Sequence, residues 1–493
     1  MRPVFTVLFL LLVVLSFATW WSLPEKQSDK PILYWVTDMH PGRVEQINTF
    51  HEWLEKNDHP EMEMRLDAAN NDVSKKLIQG VSGVAGEILD VYRGKQEMLY
   101  LYQAGILKDM SEAAQELDFG PSKTWKAIRP DMFIDGRQYG FPRNVAVLMY
   151  WVNEDTFAEY GMDPPPQRWT WEDFERIGKE FVEKANRDNP SPRRFFALPD
   201  YFNPNVLPTV MLRSTGMDVF NETLTACVLD DPRFTEVLER IHQWTYEDRL
   251  IPSSADQASF SGSAGFGGAV LHLFNEGNFG MVMMGRYALL QLRQFEPIEL
   301  DVVEPPYREY PNTIIFAGMP TVYREAANAD LAKYFLSYMA SEDYNMLIVR
   351  DGDALPPNPK YTKTQAFLRP PGHPNEWGCH EVFTEAADSI AVTYSNSRFV
   401  LPVTVSRLFQ RYYDLFMNNR ITAAEAGQRL TEAINRELRD NLDDRPVLRA
   451  TFEDKVRLQE QIDARKAAGR PIPREWVDNP FHMKYYADHG LLE

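Results

Sequence analysis

The sequence predicts an α/β protein of two open-sheet units, closed by a helical C-terminal tail. Three observations carry this. Strand-like apolar runs alternate with amphipathic helical stretches from residue 31 onward, the order that builds a mainly parallel sheet with helices on both faces. The chain has 493 residues, and single cores stop growing at roughly 250–300 residues, so at least two cores are needed. The third is the segment 136–153. There a turn bounded by Gly136 and Gly140 leads through Pro142 into one long apolar strand, which ends at Asn153 and opens a helix.

Ile32 to Val36 reads as the first strand. Thr37 to Gly42 is a loop, and a helix runs from about Arg43 to Lys56, with Val44, Ile47, Phe50, His51 and Leu54 spaced three or four apart. Glu61 to Leu66 alternates as a second strand, and a helix occupies Asp72 to Gly80. Gly86 to Tyr92 makes a third strand, followed by a helix from about Gln96 to Ala104. The helix after Asn153 closes at Gly161, and Thr170-Trp171-Glu172-Asp173 opens the next. A second α/β unit extends to about residue 306. It holds the strand Phe195 to Leu198 with a Pro- and Asn-rich loop to Asn205, helices at Leu207 to Ser214 and near Pro232 to Asp248, and the block Phe274 to Tyr287. In that block Gly277 ends a helix, a strand follows, and Gly285 opens a helix. Asn312 to Met319 and a helix from Ala329 to Ser341 return to the first pattern, and helices dominate from His380 to Asp440. In the tail, Glu453 to Arg465 forms a charged helix. Trp476, Phe481, Tyr485 and Tyr486 give the last segment an apolar side with which to dock on the body, a free charged tail being the alternative.

Bulk properties narrow the function. A formal charge of −19 argues against nucleic acid or an anionic membrane as partner. Arg2, the apolar run Val4 to Ala18 and the small residues Ser16 and Ala18 describe either a cleaved secretory signal or, extended to Leu23, an uncleaved anchor; both export the body. Cys227 and Cys379 could pair or remain two buried thiols. Nucleophile elbows, phosphate loops and zinc helices are absent. Asp351-Gly352-Asp353 lacks the other ligands of a calcium loop and reads as a helix-ending turn, while His40, His51 and His59 have no metal spacing. No catalytic residue, metal or cofactor is expected.

Residues 30–440 resemble, block by block, the type II periplasmic solute-binding proteins of ABC importers, in the carbohydrate-binding group related to maltose-binding protein. The blocks are Tyr34-Trp35 with its loop, and Asp90-Val91-Tyr92 with Gly105 to Asp109 behind it. Next come Tyr139-Gly140-Phe141-Pro142 through Asn153, Gly161, Pro165 and Trp171 to Phe174, then Phe274 to Tyr287, and Ile421 to Asn435. The departure is Phe316-Ala317-Gly318, where the family has a paired glycine in a ligand-contacting loop. The resemblance implies a two-lobe, Venus-flytrap architecture with hinge crossings: lobe 1 from 31–142 and 311–366, lobe 2 from 143–306 and 370–440. A signal or anchor at 1–23 and an extension at 441–493 lie outside it. It further implies a monomeric, periplasmic or otherwise extracytoplasmic binding component that closes on a sugar or oligosaccharide and presents it to permease subunits. A sensor ectodomain, and more remotely an exported glycosidase or polysaccharide lyase, stay open as alternatives.

A sugar site needs rings to stack on CH faces and planar polar groups to bond neighbouring hydroxyls, because a trapped polar group without a partner costs roughly 1–3 kcal/mol. Ligands of open sheets bind beyond the carboxyl ends of the strands, which selects Thr37, Asp38, Met39, Tyr92 and Arg93, residues that could equally cap the following helices. The resemblance adds Gln96, then Arg143 and Asn144 at the crossing, and Asp200, Tyr201 and Asn203 from lobe 2. It also adds Arg286, Tyr287 as a stacking ring, and Arg407 on a late helix. Arg93, Arg143 and Arg286 together suggest an acidic sugar, unless each simply neutralises some of the 71 acidic residues.

Overall fold

The computed structural model describes residues 30–40, 42–92, 95–188, 193–260 and 268–493. The apolar N-terminal run therefore lies outside the described residues, as does Arg93. Among the described residues no helix is long and apolar enough to cross a membrane.

Two sheets organise the body. The first contains β1 (Ile32–Val36), β2 (Glu63–Leu66), β3 (Ile88–Val91), β6 (Asn144–Val147), β11 (Thr313–Val322) and β12 (Ala391–Val392), after a small hairpin of β4 (Phe133–Ile134) and β5 (Arg137–Gln138). β1 pairs in parallel with both β2 and β3. The second sheet runs β10 (Leu300–Val303), β7 (Met149–Asn153), β9 (Phe279–Met284), β8 (Phe195–Leu198), with β7 antiparallel to both neighbours. The hairpin turns on Asp135 and Gly136 at φ of 50° and 76°, the left-handed pair that a two-residue type I′ turn requires.

The long apolar strand of the sequence is two strands. It breaks at Leu148, whose N–H donates to Ile314 O at 3.0 Å and whose carbonyl accepts from the Thr313 hydroxyl. On one side of the break β6 pairs with β11; on the other β7 enters the second sheet. With a side-chain period of two, Val147, Met149 and Trp151 face one core and Leu148, Tyr150 and Val152 the other. β11 is the return crossing. It begins parallel to β12, continues antiparallel to β6, and finishes antiparallel to β3. Phe316-Ala317-Gly318 is therefore mid-strand and not a loop. The chain folds into two lobes joined by these strands.

Local chemistry explains most boundaries. Asn153 caps the helix Glu154–Glu159 by accepting from Thr156 N, and Thr170 and Asp173 form a capping box on Trp171–Asn186. One stripe is rotated from its expected place. The helix Gly42–Lys56 buries Arg43, Gln46, Phe50, Trp53 and Leu54 and leaves Val44 exposed, because two polar residues turn inward. The helix from Pro232 ends at His242 and relaxes into a π-turn at Gln243–Glu247. Cys227 and Cys379 are separate, buried thiols. Beyond the helix Ala423–Asp444, the tail forms helices at Arg449–Ala467 and Pro480–Asp488 and docks on the body through Phe481, which is fully buried.

Candidate functional site

The carboxyl ends of β1 and β3 lie side by side and open onto a chamber of about 320 Å3 between the lobes. Asp38, Arg43, Tyr92 and Asp353 form its lobe 1 end, Arg143 and Asn144 stand at the crossing, and Asp200, Phe202, Asn203, Tyr287 and Tyr394 form its lobe 2 end. Phe316 and Gly318 of β11 lie between them. Through Glu97 and Asn203 the chamber continues into an outer one of about 330 Å3, lined by Tyr100, Pro402, Ser406, Arg407 and Gln410 among others. Volumes of this order suit small ligands.

A buried charge network floors the inner chamber. Arg143 Nε donates to Asp90 Oδ2 at 2.8 Å and its Nη2 to Asp38 Oδ2 at 3.3 Å. Arg43 donates to both oxygens of Asp38 at 3.0 and 3.1 Å, and to Asp353 at 2.9 Å. Asn144 Nδ2 donates to the other Asp353 oxygen at 2.8 Å. Asp90, inside β3, also accepts from the Thr37 hydroxyl at 2.5 Å and from Trp35 Nε1 at 3.0 Å, and its carbonyl accepts from buried Lys76. Burial alone would raise the carboxyl pKa values here. The Arg43 and Arg143 guanidiniums reverse this, holding Asp38 well below the usual range and Asp353 at about 2. Both are thus ionised acceptors at neutral pH.

Two features shape the chamber wall. Arg143 Nη1 is buried in the wall and makes no hydrogen bond among the described residues, with Asp353 Oδ2 3.7 Å away as its ion-pair partner. Gly318 has no side chain because a Cβ there would stand 2.8 Å from both Arg143 Cζ and Asn144 Oδ1. Opposite, Phe202 and Tyr287 lie 6.4 Å apart, Phe316 and Tyr394 6.2 Å apart, and Asn203 Nδ2 donates to Tyr394 Oη at 3.3 Å. The arrangement offers ionised carboxylates, planar amide and guanidinium groups and aromatic faces to a polyhydroxylated molecule.

The structure sorts the residues expected from sequence. Asp38, Tyr92, Arg143, Asn144, Asp200, Asn203 and Tyr287 line the inner chamber, and Arg407 the outer one. Four residues stand elsewhere. Thr37 is buried beneath the wall, bonded to Asp90 and lying 3.0 Å from Tyr92 Oη. Met39 points to solvent at 81% exposure. Tyr201 packs edge-on to Phe202 and is absent from the lining. Arg286 is 0% exposed and turned away from the chamber. Its Nη1 and Nη2 donate to Ala354 O at 2.9 Å and Val349 O at 3.2 Å, and its Nε to His380 Nδ1 at 3.1 Å. It shares the 3₁₀ turn Arg286–Ala288 with Tyr287, and at three residues per turn neighbouring side chains diverge by about 120°. Gln96 lies on the helix Lys95–Gln103, and nothing of its side chain is described.

Sequence reasoning missed Arg43, Glu97, Phe202, Phe316, Tyr394 and Asp353. Arg43 carried a signal, a cation at the start of a buried stripe. Asp353 carried another, since Gly352 at φ 81° ends a helix and reverses the chain there. Tyr394 lies far along the chain in a segment with no pattern of its own.

The family described as bacterial extracellular solute-binding protein matches residues 48–375. Solved structures share the fold. An ABC substrate-binding protein from Listeria monocytogenes, in complex with cycloalternan, is 21% identical over 83% of this chain and 99% of its own, with a TM-score of 0.68. A solute-binding protein from Thermotoga lettingae with alpha-D-tagatose is 14% identical over 83% and 100%, TM-score 0.67. The maltose/maltodextrin-binding domain MalE of Bdellovibrio bacteriovorus with maltotriose is 14% identical over 83% and 100%, TM-score 0.66.

Proposed function

Since the chain belongs to the bacterial extracellular solute-binding proteins, we propose that it captures a neutral sugar or short oligosaccharide in the interlobe chamber. The observation that carries this is the chamber itself, which is lined by carboxylates and the guanidiniums paired with them at one end and by the rings of Phe202, Tyr287 and Tyr394 at the other. The acidic ligand suggested by three arginines loses its support. Arg286 is buried elsewhere, and Arg143 already bonds Asp90 and Asp38. Asp38, Glu97, Asp200 and Asp353 also outnumber Arg43 and Arg143 on the described wall. Similar proteins were solved with cycloalternan, tagatose and maltotriose, which accords with a neutral carbohydrate.

The protein works by closure and not by catalysis. A ligand touching both lobes stabilises the closed state by its differential affinity, and the closed form is what an ABC permease receives. The protein acts as a monomer outside the cytoplasm, with its N-terminal segment as signal or tether. Calorimetry against glucose, galactose, mannose, maltose, maltotriose and glucuronate tests the reading. Binding of at least one neutral sugar, weakened at least tenfold by Tyr287→Ala, is expected; binding of glucuronate alone, or of none, overturns it.

A further inference from the structure

The C-terminal extension lies beyond the family match, which ends at residue 375, yet it grips the segment that brings Tyr394 to the chamber wall. Asn479, fully buried, caps the helix Pro480–Asp488 by accepting from Phe481 N at 2.9 Å. The Ser395 hydroxyl shares its single proton between this Oδ1, at 2.9 Å, and Asp218 Oδ2. Asn479 Nδ2 donates to Phe220 O at 2.9 Å and Asn221 O at 3.3 Å, so the amide orientation is set by the cap on one side and two carbonyls on the other. Two residues further, Phe481 packs into a small core with Val392, the last residue of β12, and Tyr310, just ahead of β11. Tyr310 Oη donates to Asp488 Oδ2 at 2.6 Å. The residue after Tyr394 and the residue two before it are thus both fixed by the extension. Arg213 completes the clamp, donating to Thr393 O and Ser395 Oγ at 3.0 Å with its guanidinium over the Phe481 ring.

We propose that the extension is a positioning element of the binding cleft, with Asn479 and Phe481 setting the place of the Tyr394 ring through Ser395 and Val392. This rests on the chamber being the sugar site. A segment without its own helix or sheet gains definition only from what packs on it. In this chain that packing comes from residues about ninety positions further on. Tyr394 faces Asn203 and Phe316, so freeing its backbone would blur the lobe 2 wall without removing any group that touches the ligand.

The test compares Asn479→Ala with Ile462→Ala, a change in the extension's own small core that touches neither Ser395 nor Val392. Hydrogen exchange of the 391–398 peptide in the ligand-free protein, and calorimetry with the tightest binder among glucose, galactose, mannose, maltose and maltotriose, are read for each. The expected result is faster exchange at 391–398 and an affinity loss of about two- to tenfold, the scale of one hydrogen bond, in Asn479→Ala only. In a Tyr394→Ala background, Asn479→Ala should weaken binding no further. Unchanged affinity despite faster exchange, an equal loss from Ile462→Ala, or an equal loss in the Tyr394→Ala background overturns the proposal. If no sugar of the panel binds the wild-type protein, the chamber reading itself fails, and this inference with it.

Discussion

Replacing Asp353 by Asn perturbs the charge network at one atom and leaves its shape intact. The wild-type carboxylate is buried and accepts from Arg43 at 2.9 Å, Gln46 at 3.2 Å and Asn144 at 2.8 Å, with Arg143 Nη1 at 3.7 Å. The amide keeps one acceptor but turns an NH2 toward donors, and it leaves two guanidiniums with two carboxylates in place of three. Removing one partner of a buried pair costs about 3–5 kcal/mol. The depression of Asp353 from 3.8 to about 2 gives a second measure, equivalent to about 2–3 kcal/mol at neutral pH. Urea unfolding followed by tryptophan fluorescence should show a loss in this range with an unchanged slope. The sign of the pH dependence follows from a lowered folded value. Between that value and the ordinary carboxylate range the unfolded chain binds the proton first, so wild-type stability falls with pH from about 4 toward 2. Asp353→Asn should flatten that fall. A variant within 1 kcal/mol of wild type, or one with an undiminished acid dependence, would refute the network as described.

Gly318→Ala should cost about 1–3 kcal/mol by overpacking, because its methyl meets Arg143 and Asn144 at 2.8 Å; sugar affinity should drop as well, and an unmoved melting temperature with normal affinity would count against the close approach. Arg286→Ala should destabilise the protein by about 3 kcal/mol or more as two buried carbonyls lose donors. It should leave any preference between neutral and uronic sugars unchanged, and a reversed preference would return Arg286 to the cleft. Cys227, whose thiol burial pushes up to about 12, and Cys379 should stay unreactive to Ellman's reagent in the native protein. Both should react after denaturation without reductant, and two missing thiols would reveal a disulfide.

The fold was legible because its signals are local. Caps at Asn153 and Thr170, the turn at Asp135-Gly136 and the alternation of strands and helices each depend on residues a few positions apart. The crossing was legible as a strand but not as two, since the break at Leu148 is made by Thr313 and Ile314, far along the chain. The site was partly legible for the same reason. Asp38 and Tyr92 follow from strand ends, and Tyr287 from the resemblance, whereas Arg286 beside it needed the 3₁₀ geometry to be placed. Phe316 and Tyr394 reach the chamber only through tertiary contacts, which no spacing in the sequence encodes.

The central claim is that a sugar in the chamber holds the two lobes together. Small-angle scattering of the purified protein measures this directly, with and without saturating amounts of the neutral sugar that binds most tightly in calorimetry. A decrease in radius of gyration that is lost in Tyr287→Ala is the predicted result. An identical profile with and without bound sugar would contradict it.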